Sequence, residues 1–282
     1  KGQKFIIYPD FPTSGIIDIS NYNDGLRGGR IKVRARISQL NKNTLVISQI
    51  PFTTTTSSLI DTIVKANDNG KIKIKKIEDN TANDVEVLVH LPSGVSPDKT
   101  IDGLFAFTSC ETSISPLGCV IENNKPLFIG VSEILEKSTD RTKKLLELEL
   151  EYKRGDFENQ WHYASLERIF IENRIYRDIE NVETWEGVIN AISEGLQPFI
   201  SDLKREVVED DIVRLTEIKI KRISKFDIDK AQIKIESIES ELEKITFHLN
   251  NLTDFAISYY KNLKSVYGKN KKRKTEIRIF DD

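Results

Sequence analysis

Cysteine is scarce in this sequence, which has two cysteines, Cys110 and Cys119, among 282 residues. Two isolated cysteines do not make the disulfide framework that stabilises small secreted domains, and we expect both to be buried structural thiols. The sequence also has no signal-peptide pattern and no apolar run of membrane-spanning length. It begins with Lys-Gly rather than methionine, from which we expect a segment of a longer polypeptide.

Recognisable catalytic constellations are missing as well. His90, His162 and His248 lie far apart on different predicted elements, so we expect no metal site. No Ser-His-Asp set or paired-carboxylate site stands out. The glycines around Arg27 precede a predicted strand rather than a helix, and no Gly-Lys-Ser/Thr follows them. A phosphate-binding loop needs that strand–glycine–helix order, so a nucleotide-dependent enzyme is excluded.

Positive charge, by contrast, is concentrated in one part of the chain. The formal net charge of the whole sequence is only −2. Between Arg27 and Lys76, however, there are eleven lysines and arginines and two acidic residues, which gives this window +9. The remainder of the chain is therefore strongly acidic. Such an asymmetry indicates an electrostatic surface for a polyanion.

Two segments of this window, 30–37 and 71–79, alternate cations with apolar residues, as half-buried strands do. Like charges on one face repel, so solvent or an anionic partner must face them. Two explanations remain open: a sheet face kept soluble by its cations, or a track for DNA phosphates with salt-sensitive, non-specific affinity. The candidate DNA-binding residues are Arg27, Arg30, Lys32, Arg34, Arg36, Lys71, Lys73 and Lys75.

The first half of the chain predicts an α/β sandwich, a mixed or antiparallel sheet with helices on one face. Further strands are predicted at 44–50 and 84–91, and two short ones within 111–129 joined by a turn at Asn123-Asn124. One helix is predicted over 57–68, with Ser57 or Ser58 as its N-cap, and another begins at Ser96-Pro97.

The second half predicts long helices. Residues 131–178 contain no proline and one glycine, so we expect one very long helix or two collinear ones. Later, apolar residues recur at alternating spacings of three and four over four heptads, which is typical of a coiled coil. These residues are Ile235, Ile238, Leu242, Ile245, Leu249, Leu252, Ala256, Tyr259 and Leu263. We expect the two helices to pair antiparallel in an arm about 60 Å long.

Several motifs resemble the A subunit of bacterial type IIA DNA topoisomerases. In the first half these are "YPDFPTSGII", "GLRGGRIKVRARI" and "ISQIPFTTTTSSLIDTIVKANDNGKIKIKKIEDNT". Later in the chain they are "SISPLGCVIENNKPLFIGVSEIL" and "DDIVRLTEIKIKRIS". The similarity runs from about Tyr8 to Phe255 in the order of the family. It is closest to topoisomerase IV A subunits, the gyrase A subunit is a near relative, and the likeness suggests an internal fragment.

This resemblance implies an α+β fold in four parts. They are a connector from a winged-helix domain (1–28), a tower α/β domain (29–130), a coiled-coil arm (131–268) with a C-gate tip at about 180–226, and a basic linker (269–282). Two interpretations of the cations near the end of the chain remain open: a solvated basic linker, or a tail that contacts phosphates. In the family the parent enzyme relaxes or decatenates DNA by ATP-dependent double-strand passage. Its nucleophilic tyrosine lies upstream, so we expect this fragment to be inactive alone.

The same resemblance implies the partners. They are double-stranded DNA, a topoisomerase B subunit that carries the Mg²⁺ and ATP sites, and a second copy meeting this one at the C-gate. We therefore expect no cofactor in this fragment, no membrane contact, and a cytoplasmic, nucleoid-associated location. Candidate dimer-interface residues are Ile212, Leu215, Ile218, Ile220 and Ile223. A place in the internal core of the tip is equally open for each of them.

A hypothesis of a different class is a non-catalytic coiled-coil scaffold that binds DNA. The two hypotheses differ in what precedes this segment in the gene. A winged helix with a tyrosine after paired arginines supports the topoisomerase, and its absence supports the scaffold.

Overall fold

The structure, a computed structural model, describes residues 4–224 and 228–280, without the side chains of Ile220 and Ser224. The chain divides into two compact units. Unit 1 comprises the residues up to Thr139 together with those from Lys264 onward, and unit 2 comprises Asp140–Leu263. The predicted α+β class, with mixed and antiparallel sheets, is confirmed.

The strands of the described residues all lie in unit 1. They are β1 (Ile16–Asp18), β2 (Ile31–Arg34), β3 (Arg36–Asn41), β4 (Thr44–Gln49), β5 (Lys76–Asp79), β6 (Val87–His90), β7 (Glu111–Ile114), β8 (Cys119–Glu122), β9 (Lys125–Phe128) and β10 (Glu276–Ile277).

The helices follow the same chain order. They are α1 (Thr56–Asp68), α2 (Pro97–Phe107), α3 (Val131–Glu172), α4 (Trp185–Leu196), α5 (Glu209–Thr216), α6 (Ile220–Ser224), α7 (Ile228–Asn250) and α8 (Leu252–Tyr267). Short 3₁₀ turns occupy Ile175–Arg177, Gln197–Asp202 and Gly268–Asn270.

The main core of unit 1 lies between helices α1 and α2 and an antiparallel sheet of order β3-β4-β6-β5. Buried and less buried side chains alternate along the two central strands, so one face of the sheet is apolar. The fully buried residues of this core are Ala35, Leu45, Ile47, Leu59, Ile63, Val87, Val89, Leu104 and Cys110. The predicted arrangement of helices on one face is consistent with this core.

Helix starts in unit 1 follow capping chemistry. Pro97 occupies the first position of α2 and Ser96 is its N-cap, as predicted. For α1, the prediction of Ser57 or Ser58 as the N-cap is wrong. Thr55 is the N-cap, and Ser58 is the third helical residue, which completes a reciprocal capping box with Thr55.

The predicted single strand over 30–37 is two strands in two different sheets. Strand β2 belongs to a sheet of order β10-β1-β2-β7, in which β10 and β1 are parallel, whereas β3 is the edge of the sheet with α1 and α2. The break falls at Ala35, whose N–H donates to the carbonyl of Cys110 at 2.8 Å. The alternation of side chains continues through this break, which is why it is invisible in the sequence.

Two other strand predictions are revised. Of 71–79, only Lys76–Asp79 forms a strand, which pairs antiparallel with β6. Residues 111–129 contain three strands rather than two. The predicted turn is confirmed, because Asn123 and Asn124 have φ angles of 50° and 61° and connect β8 to β9.

The two cysteines have different environments. Cys110 is buried, as predicted, and burial raises the pKa of its thiol to about 11. Cys119 is exposed, so the prediction of a buried thiol is wrong there.

In unit 2, α3 lies beside α7 and the start of α8 in antiparallel order. Three hydrogen bonds between side chains fix that order: Lys143 with Thr253, Trp161 with Glu239, and Arg168 with Gln232. As the residue number of the first partner increases along α3, that of the second decreases along the return segment, which is α7 with the start of α8. The two segments therefore run in opposite directions. Trp161 packs with Ile235, Ile238 and Leu242 in a common apolar cluster.

The predicted return helix is interrupted at Asn251, between α7 and α8. The apolar repeat matches burial best before the interruption, where Ile235, Ile238, Leu242 and Ile245 are buried. Beyond it, Ala256 is buried but Tyr259 is exposed. Among the described residues, no helix combines the length and the apolar character needed to cross a bilayer.

Candidate nucleic-acid interface

A tight turn leads into the predicted basic strand. Gly25 and Gly28 have φ angles of 75° and 89°, a left-handed conformation that glycine adopts without steric cost. The N–H of Arg30 then donates to the carbonyl of Asn21 at 2.9 Å, immediately before β2 begins. The glycines therefore reverse the chain into a strand.

Three of the predicted DNA-binding cations lie over strand β7. The Nε atom of Arg34 donates to Oε2 of Glu111 at 2.6 Å, and Lys32 Nζ lies 3.8 Å from the other carboxylate oxygen. Nε of Arg30 donates to the hydroxyl of Ser113 at 3.1 Å. The antiparallel register pairs Arg34 with Glu111 directly, so one acid partly neutralises this cationic face.

Arg34 is also held by two aromatic rings. Its guanidinium lies 4.6 Å from the ring centre of Phe105 and 4.0 Å from that of Phe280. Phe280 is buried, and its N–H donates to Asp18 at 3.0 Å. A guanidinium between two rings and a carboxylate has little freedom to reach a second ligand.

Arg36 has a partner near the C-terminal end of the chain. Its Nη2 donates to Glu276 at 2.7 Å, and its Nε donates to Gln49 at 3.0 Å. The hydrogen bond from Arg36 holds the pKa of Glu276 below its usual value, assisted by Arg278. Residues 276–277, within the segment predicted as a basic linker, thus form strand β10 beside β1.

The second predicted group, Lys71, Lys73 and Lys75, is exposed throughout. These residues precede strand β5, yet the alternation survives, because Ile72 is buried and Ile74 packs against the core of unit 1. Although these residues do not form a strand, two hydrogen bonds hold their backbone in place. The N–H of Ile74 donates to Asn67 Oδ1 at 2.8 Å, and that of Lys75 to the carbonyl of His90 at 2.7 Å.

Both cationic groups touch the end of α2. Arg34 covers Phe105, and Lys71 Nζ lies 5.6 Å from the ring centre of Phe107. Arg27 is exposed beside Gly28 and has no ion pair among those described. The arrangement can attract an anion. Within residues 4–224 and 228–280, no three His, Cys, Asp or Glu side chains could hold a metal ion.

The candidate dimer-interface residues lie in and around a helical core of unit 2. Ile212 and Leu215 are 5% and 1% exposed, so this chain already covers them almost completely. Ile218 and Ile223 are half-buried and pack against the same core. The side chain of Ile220 lies outside the part of the chain that the structure describes.

Beside that core lies a buried polar cluster that sequence reasoning missed. Nε2 of His162 donates to Oδ2 of Asp211 at 3.2 Å, and Arg205 donates to both carboxylate oxygens of Asp211 at 2.7 and 2.9 Å. Burial lowers the pKa of His162, and the positive charge of Arg205 lowers it further. Burial alone would raise the pKa of Asp211, but its hydrogen bonds, first of all that from Arg205, lower it.

The acidic partners of the cations were missed as well. Sequence reasoning places Glu111 only in a strand and Glu276 only in a linker. The pairing of β2 with β7 brings Glu111 opposite Arg34, and β10 brings Glu276 to Arg36 across 240 residues of sequence. A local signal existed for Glu111, since it opens a predicted strand in a positively charged sheet. None existed for Glu276.

The fold defines a two-unit α+β protein whose first unit carries a basic surface. The sequence profile of a family described as the A subunit of DNA gyrase/topoisomerase IV matches residues 2–263, and the chain belongs to this family. It is 34% identical over 278 residues to the A subunit of DNA topoisomerase 4 from Borreliella burgdorferi, covering 99% of this chain and 44% of that protein.

Gyrase A subunits are similar at lower identity. The DNA gyrase A subunit of Metamycoplasma arthritidis is 24% identical over 98% of this chain and 31% of its own length. That of Helicobacter pylori strain 26695 is 24% identical over 80% of the chain and 28% of its own length. The chain thus spans less than half the length of these relatives.

Proposed function

We propose that this chain is the tower and C-gate segment of a type IIA topoisomerase A subunit. Unit 1 is the tower that contacts the flanks of a bound duplex. Unit 2 is an arm of paired helices whose helical core forms the tip where two copies meet. The observation that carries the proposal is the family match over residues 2–263. The antiparallel order of α3 and the return segment supports it.

In this proposal the chemistry of strand cleavage resides elsewhere in the parent enzyme. The nucleophilic tyrosine belongs to a winged-helix domain that precedes this segment, and Mg²⁺ and ATP are bound by the B subunit. The parent complex relaxes or decatenates DNA by passing one duplex through a transient break in another. The segment contributes binding and gating, and alone it neither cleaves DNA nor hydrolyses ATP.

The cations of unit 1 divide into two roles. Arg27, Arg30, Lys71, Lys73 and Lys75 are exposed and can each approach a phosphate, and Lys32 can do so in part. Arg34 and Arg36 hold acids and aromatic rings of unit 1, so we assign them mainly to positioning the surface. Phosphate contacts of this kind supply affinity without sequence preference.

The charge of unit 2 suits a passage rather than a binding site. Asp140–Leu263 contains 26 acidic and 19 basic residues, a net −7. Walls of that sign repel a transported duplex instead of retaining it. A DNA-binding scaffold, the alternative hypothesis, has no need for an acidic arm, and no observation favours it over the family assignment.

The activity itself is tested with the full-length A subunit together with its B subunit. Relaxation or decatenation of circular DNA that requires ATP and both subunits is the expected result, with no activity from this segment alone. The A subunit should sediment as a dimer. A strict monomer at high concentration would remove the basis of the gate.

The DNA contact is tested by replacing Lys71, Lys73 and Lys75 together with glutamine. The slope of log affinity against log salt should become shallower by about 0.9 for each phosphate that the protein no longer neutralises. Fluorescence anisotropy with a labelled duplex at several salt concentrations measures that slope. The control replaces Lys144, Lys153 and Lys244, exposed lysines of unit 2, with glutamine and should leave the slope unchanged. Equal slopes for the first variant and the parent protein would reject the assignment.

A further inference from the structure

The β8–β9 hairpin of unit 1 has two faces of different character. Its register pairs Cys119 with Phe128 and Ile121 with Pro126, and successive residues of a strand point to opposite faces. These four side chains therefore share one face, which we call the outer hairpin face. Val120, Glu122, Lys125 and Leu127 share the other, inner face.

The start of helix α3 contacts part of the inner face. Lys137 donates to Glu122 at 3.2 Å, and Val120 and Leu127 are half-buried. At the base of the hairpin, a Cβ added to Gly118 would lie 3.3 Å from Cδ1 of Ile134. The hairpin is thus connected to the first turns of α3 at its base and through its inner face, which is opposite the outer hairpin face.

None of the residues that the structure describes covers the outer hairpin face. Ile121 and Phe128 are 73% and 59% exposed, and Cys119 and Pro126 are exposed with them. Leu117, just before the hairpin, is 53% exposed. Single apolar side chains in solvent are ordinary, but a contiguous apolar face on a two-stranded hairpin marks an interaction site.

The same end of unit 1 holds the first described residues of the chain. The hydroxyl of Ser132, four residues after Phe128, donates to the carbonyl of Phe5 at 3.3 Å. Phe5, Ile6 and Ile7 are themselves exposed. Chain that precedes this segment in the parent therefore enters beside the hairpin. The relative from Borreliella burgdorferi is longer than this chain, which covers 44% of its length.

We infer that the outer hairpin face is the docking surface for the part of the parent A subunit that precedes this segment. This inference rests on the proposed function, which supplies that preceding domain. The contact is apolar and lies within one chain. It fastens the domain that carries the nucleophile to the base of α3, so that movement of the helix is transmitted to it.

The chain supplies its own probe, because Cys119 lies in the outer hairpin face. The rate at which N-ethylmaleimide alkylates Cys119 reports whether the face is covered. Mass spectrometry of the peptide that contains Cys119 measures it in the full-length A subunit, dilute and without B subunit. Cys110 is an internal reference for a thiol that the fold protects, because it is buried and its pKa is raised.

We expect Cys119 in the full-length A subunit to react at least tenfold more slowly than in the same protein unfolded in urea. Replacing both Ile121 and Phe128 with aspartate should restore most of the unfolded rate. The control Lys125→Asp changes the inner face and should leave Cys119 protected. Retained protection of Cys110 in every variant shows that unit 1 is still folded.

Three outcomes would overturn the inference. Reaction of Cys119 at the unfolded rate in the full-length A subunit means that nothing covers the face. Protection that rises with subunit concentration assigns the face to a second copy. Protection that appears only after the B subunit is added assigns it to that partner. If DNA relaxation succeeds while Cys119 stays reactive, only this inference fails. If Cys119 is protected but no relaxation occurs, the proposed function fails instead.

Discussion

The two units bury different kinds of side chain. The buried polar residues of unit 1, among those described, are the threonines Thr44, Thr100 and Thr275, which carry no charge. Unit 1 also buries the thiol of Cys110, whose pKa burial raises to about 11, whereas unit 2 buries the side chains of His162, Glu167 and Asp211. A buried ionisable group couples folding to pH, whereas an apolar core does not. Between pH 7.5 and 5.5 we therefore expect unit 1 to respond mainly to loss of apolar volume, and unit 2 to respond to pH and to loss of charge partners.

The two units also differ in the net charge of their surfaces. The charged residues of unit 2 sum to −7 in a chain of −2, so unit 1 carries the positive charge. Within unit 1, acids hold some of the cations, as Glu111 holds Arg34. Salt should therefore act on the binding properties of unit 1 more than on its stability. The units can be followed separately, since both tryptophans, Trp161 and Trp185, belong to unit 2.

The largest effect is expected for Leu45→Ala in the core of unit 1. Leu45 is fully buried, and removing its branched end leaves a cavity, so unit 1 should lose about 3 kcal/mol of stability. Hydrogen exchange of β4 and β6 measures the loss. Leu40→Ala, on the neighbouring strand but 60% exposed, is the control and should change little. Equal losses would mean that the core is not where the structure has it.

A somewhat smaller effect is expected for Asp211→Ala in unit 2. The substitution leaves Arg205 without its partner, and Nε2 of His162 and the N–H of Val208 without their acceptor. Because Arg205 is partly exposed, the loss should be about 2 kcal/mol, below that for a fully buried pair. Urea unfolding followed by tryptophan fluorescence measures it.

The neighbouring Asp210 provides the matched control. It lies in the same first turn of α5 but is exposed, so Asp210→Ala should cost less than about 1 kcal/mol. If the two variants were equally stable, the buried cluster would contribute nothing measurable.

The smallest effect is a dependence of the stability of unit 2 on pH between pH 7.5 and 5.5. Burial lowers the pKa of His162, so the folded unit keeps it neutral while the unfolded chain binds a proton near pH 6.5. Its Nδ1 atom has no hydrogen-bond partner among the described residues, so protonation would bury an unsatisfied N–H. Between the lowered pKa and pH 6.5, stability should fall as pH falls, by at most about 1.4 kcal/mol per pH unit.

Thermal unfolding followed by tryptophan fluorescence between pH 7.5 and 5.5 tests this dependence. His162→Gln should be less stable at neutral pH but should show a flatter dependence. His248→Gln, the other histidine of unit 2, is the control and should retain the slope of the parent. The lowered pKa of Asp211 acts in the same direction at lower pH, so it does not mask the effect of His162. An unchanged slope in His162→Gln would remove His162 as its source.

Local sequence patterns predicted where helices and turns lie better than they predicted which elements and side chains meet in the fold. The Ser96-Pro97 start of α2, the Asn123-Asn124 turn and the long helix from Val131 all follow from residues close in sequence. The division of 30–37 between two sheets does not, because the alternation of side chains is the same on both sides of Ala35. The cationic residues follow from their pattern, but the acids that hold Arg34 and Arg36 do not.

The sequence by itself determined the family, the class of fold, the basic window and the antiparallel helices, since motif order and periodicity are properties of the linear chain. Only the tertiary structure decided which cations remain available and which thiol is exposed. It also decided where ionisable groups are buried. Glu276 meets Arg36 and His162 meets Asp211 through contacts that no local pattern encodes, because burial and charge pairing depend on residues far away along the chain.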